Sequence, residues 1–177
     1  MPKKAADTTT GATEPGNGSK KLRKLLKDAR VAMLTTVSRD GRLRSRPMLT
    51  SEAGPDGVWF ITRASSLVAD EIRDNQRVNV SYADRKGERY VSVAGTARLV
   101  NDAARLRDLW TGKHKGWFPL GKKDPDLTLL QIVVDQAEHW DGDEGRMVPV
   151  ANGAGPGRER RMPVVMPEDS PGAGAQG

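Results

Sequence analysis

From residue 31 to residue 140 the chain repeats one pattern: a short β-prone run, then a tight turn signal. The runs are "VAMLTTV", "RLRSRPMLTS", "VWFIT", "RVNVSYA", "RYVSVAGTARLV" and "LTLLQIVVDQAEHW". Between them stand Asp40-Gly41, "EAGPDG" and "DRKGE", the residue types that reverse an extended chain. Six strands, most of them a few residues apart, cannot form parallel crossovers throughout and must mainly pair antiparallel. A small set of antiparallel strands protects its edges best by closing. The pattern therefore predicts a mainly β fold, a closed six-stranded antiparallel barrel with appended helices. "SKKLRKLLKDAR" is one such helix, capped by Ser19, with Leu22, Leu25 and Leu26 at helical spacing. "SSLVADEIRDN" is a second, capped by Ser65 or Ser66, and "DAARLRDLW" a third, capped by Asn101 or Asp102. Gly95 predicts a bulge inside its strand. Pro47 places its strand at an edge or at a bulge, because it has no N–H for a ladder.

Composition narrows the chemistry. The 177 residues contain no cysteine, which removes disulfides, thiolate metal sites and cysteine nucleophiles. Two histidines, His114 and His139, argue against a multi-histidine metal centre. No apolar run has the length of a membrane span, and the first residues lack the apolar core of a secretory signal, so the expected location is the cytoplasm. The net charge of +6 raises the question of nucleic acid, but its distribution weakens that reading. Residues 1–30 carry eight Lys/Arg against three Asp/Glu, whereas residues 31–150 carry eighteen against seventeen. The basic end reads as a solubilising arm, with a nucleic-acid association as the alternative. Gly, Pro and Thr content predicts a disordered tail over 1–18 and a second over 143–177, leaving a folded domain over 19–142.

Three segments are candidates for binding. In an extended "RLRSRPM", Arg42, Arg44 and Arg46 share one face, and three like charges in a row need water or an anion to answer them. Both an anion-facing strand and a solvated strand face satisfy that requirement. In "FITRASSLVADEI" a strand gives way to a helix start rich in hydroxyls and free amides, which suits a phosphate as well as ordinary capping. In "GWFPLGKKDPD", Trp117 and Phe118 can wall a planar ligand or close the core. The phosphate-cradling G-x-x-x-x-G-K-[ST] motif is absent, and no local signature of a Ser/His/Asp set is present. Asp84 and Glu88 flank a turn and read as solvated.

Taken in order, "MLTTVSRDGRLRSRPM", "VWFIT" with "S...DEI", "RVNVSYAD", "YVSVAGTARLV" and "WFPLGKKDPDLTLLQI" with "AEHWD" resemble one family over residues 22–142. This is the general stress protein group of the pyridoxamine 5′-phosphate oxidase-like, FMN-binding split-barrel family. The resemblance implies a six-stranded split barrel acting as a homodimer, with two equivalent FMN sites at the interface. It places Arg44, Ser45, Arg46 and Pro47 along the flavin ring and toward its phosphate, and leaves Arg42 in solvent. Ile61 and Thr62 would present main chain and hydroxyl to the ring and ribityl chain. Ser66 would hold the phosphate at the helix start. Tyr90 would reach the flavin from the partner, with Trp117 and Trp140 closing the pocket.

One departure bears on the cofactor. The resemblance implies a basic residue just after the phosphate serine, where this chain has Leu67 and Val68. Arg63 is the neighbouring cation that would compensate, and FAD or a deazaflavin are the alternatives to FMN. The chain lacks the C-terminal Arg-x-His region of pyridoxamine phosphate oxidases proper, so vitamin B6 oxidation is not expected. The implied function is that of a flavin-dependent oxidoreductase or flavin reductase. The alternative is a non-catalytic flavin binder that stores or senses flavin, with no catalytic acid or base assigned.

Overall fold

The computed structural model describes residues 15–26, 30–84 and 89–152. In chain order these form α1 (Pro15–Leu26), β1 (Val31–Val37), β2 (Leu43–Gly54), β3 (Gly57–Arg63), α2 (Leu67–Asp74), β4 (Arg77–Asp84), β5 (Arg89–Val100), α3 (Ala103–Leu109), β6 (Leu127–Asp141) and β7 (Arg146–Asn152). Two single turns of 3-10 helix, Gly112–Gly116 and Gly121–Lys123, lie between α3 and β6. The strand order is β3-β2-β1-β4-β5-β6, and β3 pairs back onto β6 to close a six-stranded antiparallel barrel. β7 is added outside the closed ring, on the far half of β6.

Strand alternation decides what fills the barrel. β4 buries Val78, Val80 and Tyr82 and turns the residues between them outward. Leu34, Val58, Phe60, Val93, Leu130 and Ile132 join them in the interior, and Leu22 and Leu26 of α1 close one end together with Val150 of β7. β3 is buried on both faces, which explains its unbroken apolar run. Val58 and Phe60 face the interior, while Trp59 and Ile61 face outward into a second cluster with Leu106 and Leu109 of α3, Leu127 and Leu129. The loop after α3 completes that cover through Trp110 and Phe118. Buried His114 pins the loop to the barrel. Its Nδ1 accepts the Thr111 N–H at 2.9 Å, which leaves Nε2 to carry the proton donated to Ser51 Oγ at 3.1 Å.

Turn and cap chemistry follows the sequence expectation in several places. Asp102 accepts the Arg105 N–H at 2.9 Å to start α3. The β5–β6 register shifts between Ala94 and Gly95, where an added Cβ would stand 2.4 Å from the Val133 carbonyl oxygen. Other expectations are corrected. α1 begins at Pro15, whose fixed φ suits a first helical turn, so Ser19 lies within the helix and does not cap it. β7 falls inside the segment expected to be a tail. Its Val148 and Val150 alternate as a strand should, and Pro149 is tolerated because it sits beside a register shift in an edge strand. The rest of both expected tails, 1–14 and 153–177, lies outside the described residues, as does Glu88 of the 84–88 turn. Pro47 is placed at an edge, because β3 pairs only with residues Thr50–Gly54 of β2 and leaves Leu43–Leu49 bound to β1 alone. The bulge in β2 occurs between Thr50 and Glu52 instead. No described helix is long and apolar enough to cross a membrane.

Gly57 closes the β2–β3 hairpin at φ +117°, and a Cβ there would lie 2.1 Å from the Ile132 carbonyl oxygen. Gly57→Ala is therefore expected to destabilise the fold by about 3 kcal/mol, from backbone strain plus the clash with the closing strand. Gly112→Ala, with no atom within 4 Å of the added carbon, should stay within about 0.5 kcal/mol of the parent. Urea denaturation of the two variants checks this.

Candidate functional site

The arginine strand divides by alternation. Ser45 and Pro47 stand on the outer face of β2, where Ser45 Oγ meets Thr35 Oγ1 of β1 at 2.7 Å. Arg44 and Arg46 turn to the opposite face, toward α2, and converge on Glu71. Arg46 Nη2 donates to Glu71 Oε2 at 2.6 Å, Thr36 Oγ1 donates to the same oxygen at 2.5 Å, and Arg44 Nε lies 3.7 Å from Oε1. Arg42 remains in solvent, with its side chain 81% exposed beside Asp40. The three arginines thus grade from solvent to interior, and the inner two meet a carboxylate of the chain itself.

Glu71 is buried, which by itself would oppose ionisation. The hydrogen bonds from Thr36 and Arg46, with the positive charges of Arg46 and Arg44, outweigh that and hold its carboxyl below the usual glutamate value. Both bonds fall on Oε2, and Oε1 is buried without a hydrogen-bond partner, with Arg44 Nε 3.7 Å away. Arg46 Nη1 is shielded from solvent and has no hydrogen-bond partner. A guanidinium nitrogen in that condition is an anion-binding group in waiting.

The loop from β3 to α2 supplies the hydroxyls. Ser66 is the N-cap of α2: its Oγ accepts the Ala69 N–H at 3.2 Å and donates to the Arg63 carbonyl at 2.6 Å. Thr62 Oγ1 lies 3.3 Å from the same hydroxyl. Ile61 points its side chain into the cluster under α3, so only its main chain can serve a site on the α2 side. Arg63 does not compensate for Leu67 and Val68. It turns away to Asp124 at 3.2 Å and lies over the Phe118 ring at 6.0 Å. The cation that does come to this end of α2 is Arg73, which sequence reading missed. It folds back along the helix to the Ala64 carbonyl at 2.8 Å and to Asp70 at 2.7 Å. Its signal was the i,i+3 spacing from Asp70. A cleft of about 670 Å³ opens between this helix and the β1–β2 hairpin, lined by Ser38, Arg44, Leu67, Glu71 and Arg73 among others.

The remaining aromatic candidates are elsewhere. Tyr90 is exposed on the outer face of β5, in a hollow shared with Val31, Met33 and Met147. Trp140 pairs with Met147 and is also exposed. Trp117 stands exposed on the loop after α3, and no hydrogen bond, ion pair or ring contact joins it to Arg46, Thr62 or Ser66. Within one chain, then, Arg44, Arg46, Thr62 and Ser66 gather around α2, whereas Ser45, Pro47 and Tyr90 share the outer face. Among the described residues no group of three or more His, Asp or Glu is arranged to hold a metal.

A barrel with this order of elements and this arginine strand can be set beside known proteins. Residues 17–155 match the family described as pyridoxamine 5′-phosphate oxidase like. The chain belongs to this family. General stress protein 26 of Bacillus subtilis is 35% identical over 118 residues, covering 63% of this chain and 80% of that protein. The crystal structure of General Stress Protein 26 from Bacillus anthracis superposes with a TM-score of 0.63 at 22% identity, over 74% of this chain and 97% of that one. The general stress FMN/FAD binding protein of Xanthomonas citri gives a TM-score of 0.59 at 28% identity, over 72% of this chain and 89% of that one. The split barrel expected from the sequence is therefore the fold of this family member.

The Glu71 network makes a pH-dependent contribution to stability. Because the folded carboxyl titrates below its unfolded value, the contribution is present above the usual value of 4.5 and is lost as pH falls through the folded value. Glu71→Gln should lose about 2–3 kcal/mol at pH 7, since it leaves Arg46 and Thr36 without a carboxylate. The difference between the two proteins should shrink steadily from pH 5 to pH 3, as followed by denaturant titrations at each pH.

Proposed function

We propose that this family member binds a flavin through its phosphate beside α2, between the arginine strand and the start of the helix. The observation that carries the reading is Arg46 Nη1, solvent-shielded and without a partner, on the same helix-facing side as Ser66. The residues present fit a phosphate monoester. Arg46 offers Nη1 as a donor, its Nη2 being held by Glu71, the start of α2 offers main-chain amides beside the Ser66 hydroxyl, and Arg73 stands nearby. Arg44 and Arg46 together outnumber Glu71, and the other carboxylates of the cleft, Asp40, Asp70 and Asp74, are paired with Arg42, Arg73 and Arg39. The FMN/FAD binding protein of Xanthomonas citri gives the reading a precedent in a relative, and FMN is the form that needs one phosphate only. A bound flavin would supply hydride and electron transfer. The chain's own part would be to hold the phosphate with Arg46 and Ser66, to present Thr62, and to exclude water with Ile61 main chain and the strand Arg44–Pro47. No acid or base is assigned among the described residues of the site, so an oxidoreductase of this kind would leave the chemistry to the flavin.

The same reading includes a homodimer. The outer face of the barrel is covered by α3 and its loop over β3 and β6, but among the described residues nothing covers it over β1, β4 and β5. The bare part presents Val31, Met33, Thr35, Ser81, Ser92 and Tyr90 in register, with no charge among them. An uncharged, partly apolar sheet face of this kind is what a second copy covers. Ser45, Pro47 and Tyr90 would then lie at the seam, beside the free edge of β2.

Two outcomes are expected. Arg46→Ala should weaken FMN binding about ten- to a hundred-fold, the loss of a charged hydrogen bond, while Arg42→Ala leaves it unchanged. Fluorescence titration with circular dichroism as a fold control checks this, and equal affinities would remove Arg46 from the site. Met33→Glu should convert a dimer to a monomer in sedimentation velocity without loss of secondary structure, because Met33 is exposed within the chain.

A further inference from the structure

A second hollow, of about 470 Å³, lies beneath α3 and shares no lining residue with the α2 cleft. Its floor is apolar: Val100, Leu106 and Leu127, the last two belonging to the cluster that covers β3. Its rim is cationic. Arg107 comes from α3, and Lys122 and Lys123 from the second 3-10 turn. All three are exposed, and none has a hydrogen bond or ion pair among the described residues.

The carboxylates of the hollow are already committed. Asp102 caps α3 through the Arg105 N–H at 2.9 Å. Asp124 is buried, accepts the Asp126 N–H through Oδ1 at 3.0 Å, and is charge-matched by Arg63 Nη1 3.2 Å from Oδ2, which has no hydrogen-bond partner. With Asp124 matched by Arg63, three cations face a single carboxylate across an apolar floor.

The geometry points to a binding site for a small organic anion, with an apolar body against Leu106 and Leu127 and a phosphate or carboxylate head among Arg107, Lys122 and Lys123. Three cations drawn from two separate elements can reach one head group, whereas an apolar floor of this size has no use for inorganic phosphate alone. The site is independent of the flavin reading, since it is built on the other side of Arg63, whose side chain is held by Asp124.

Phenyl phosphate is a suitable probe, titrated into the full chain with saturating FMN present and followed by backbone amide NMR shifts. Saturable shifts are expected at 101–106 and 121–126. Phenol, which lacks the head group, and inorganic phosphate, which lacks the body, should each bind at least about tenfold more weakly. The triple variant Arg107→Ala/Lys122→Ala/Lys123→Ala should also weaken phenyl phosphate about tenfold or more, and Arg42→Ala should not. Shifts confined to the Arg44–Leu67 cleft, an unchanged affinity in the triple variant, or no saturation at all would overturn the site. A failure of FMN to bind leaves these outcomes readable, because the shifts report the second hollow directly.

Discussion

A buried carboxylate, Glu71, ties the barrel to the helix that shapes the site. It lies on α2, yet its partners are Thr36 on β1 and the two inner arginines on β2. Burying a carboxylate is costly unless several donors answer it, and here two hydrogen bonds and a nearby guanidinium do so. The consequence is positional. The helix start, the arginine strand and the adjacent threonine are locked into one frame before any ligand arrives, and a site held in this way loses little on binding. The same frame leaves Arg46 Nη1 without a partner, which links the stabilising network to the proposed phosphate site.

The barrel's outer surface carries two different solutions to exposed sheet. Over β3 and β6 the chain supplies its own cover, with Trp59 and Ile61 packed beneath α3 and the His114 loop. Over β1, β4 and β5 no described residue covers the sheet. The sequence difference behind this is plain in the outward residues: large and apolar on β3, but Val31, Met33 and Thr35 on β1 and Asn79, Ser81 and Ala83 on β4, with Arg77 a charge at the start of β4. The uncharged stretch formed by Val31, Met33, Thr35, Ser81, Ser92 and Tyr90 is the physical ground on which a second copy is proposed. The free edge of β2 runs along the border between these regions, where Ser45 and Pro47 turn to one side and Arg44 and Arg46 to the other.

Local chemistry made much of this readable in advance. Alternation predicted that Arg44 and Arg46 share a face, Ser66 and Asp102 announced their helices, and Gly95 marked its bulge. What the sequence hid was long-range. Glu71 is 25 residues from Arg46 and 35 from Thr36, and nothing local pairs them. Arg63 looked available because it adjoins the serines, but strand alternation sends it toward Asp124. Arg73 looked remote because it lies seven residues beyond Ser66, yet a helix returns its long side chain to the first turn. β7 was masked by the Gly/Pro-rich composition around it, and by a proline that an edge strand can accommodate.

The account turns on a phosphate-holding guanidinium, so the most direct measurement compares FMN with riboflavin on the unmodified protein. Isothermal titration of each reports the contribution of the phosphate alone, since the ring and ribityl chain are shared. Tighter binding of FMN by about tenfold or more is predicted, in keeping with one charged hydrogen bond from Arg46 and the α2 terminus. Equal affinity for the two, or binding of neither, would contradict the assignment of this cleft to a flavin phosphate.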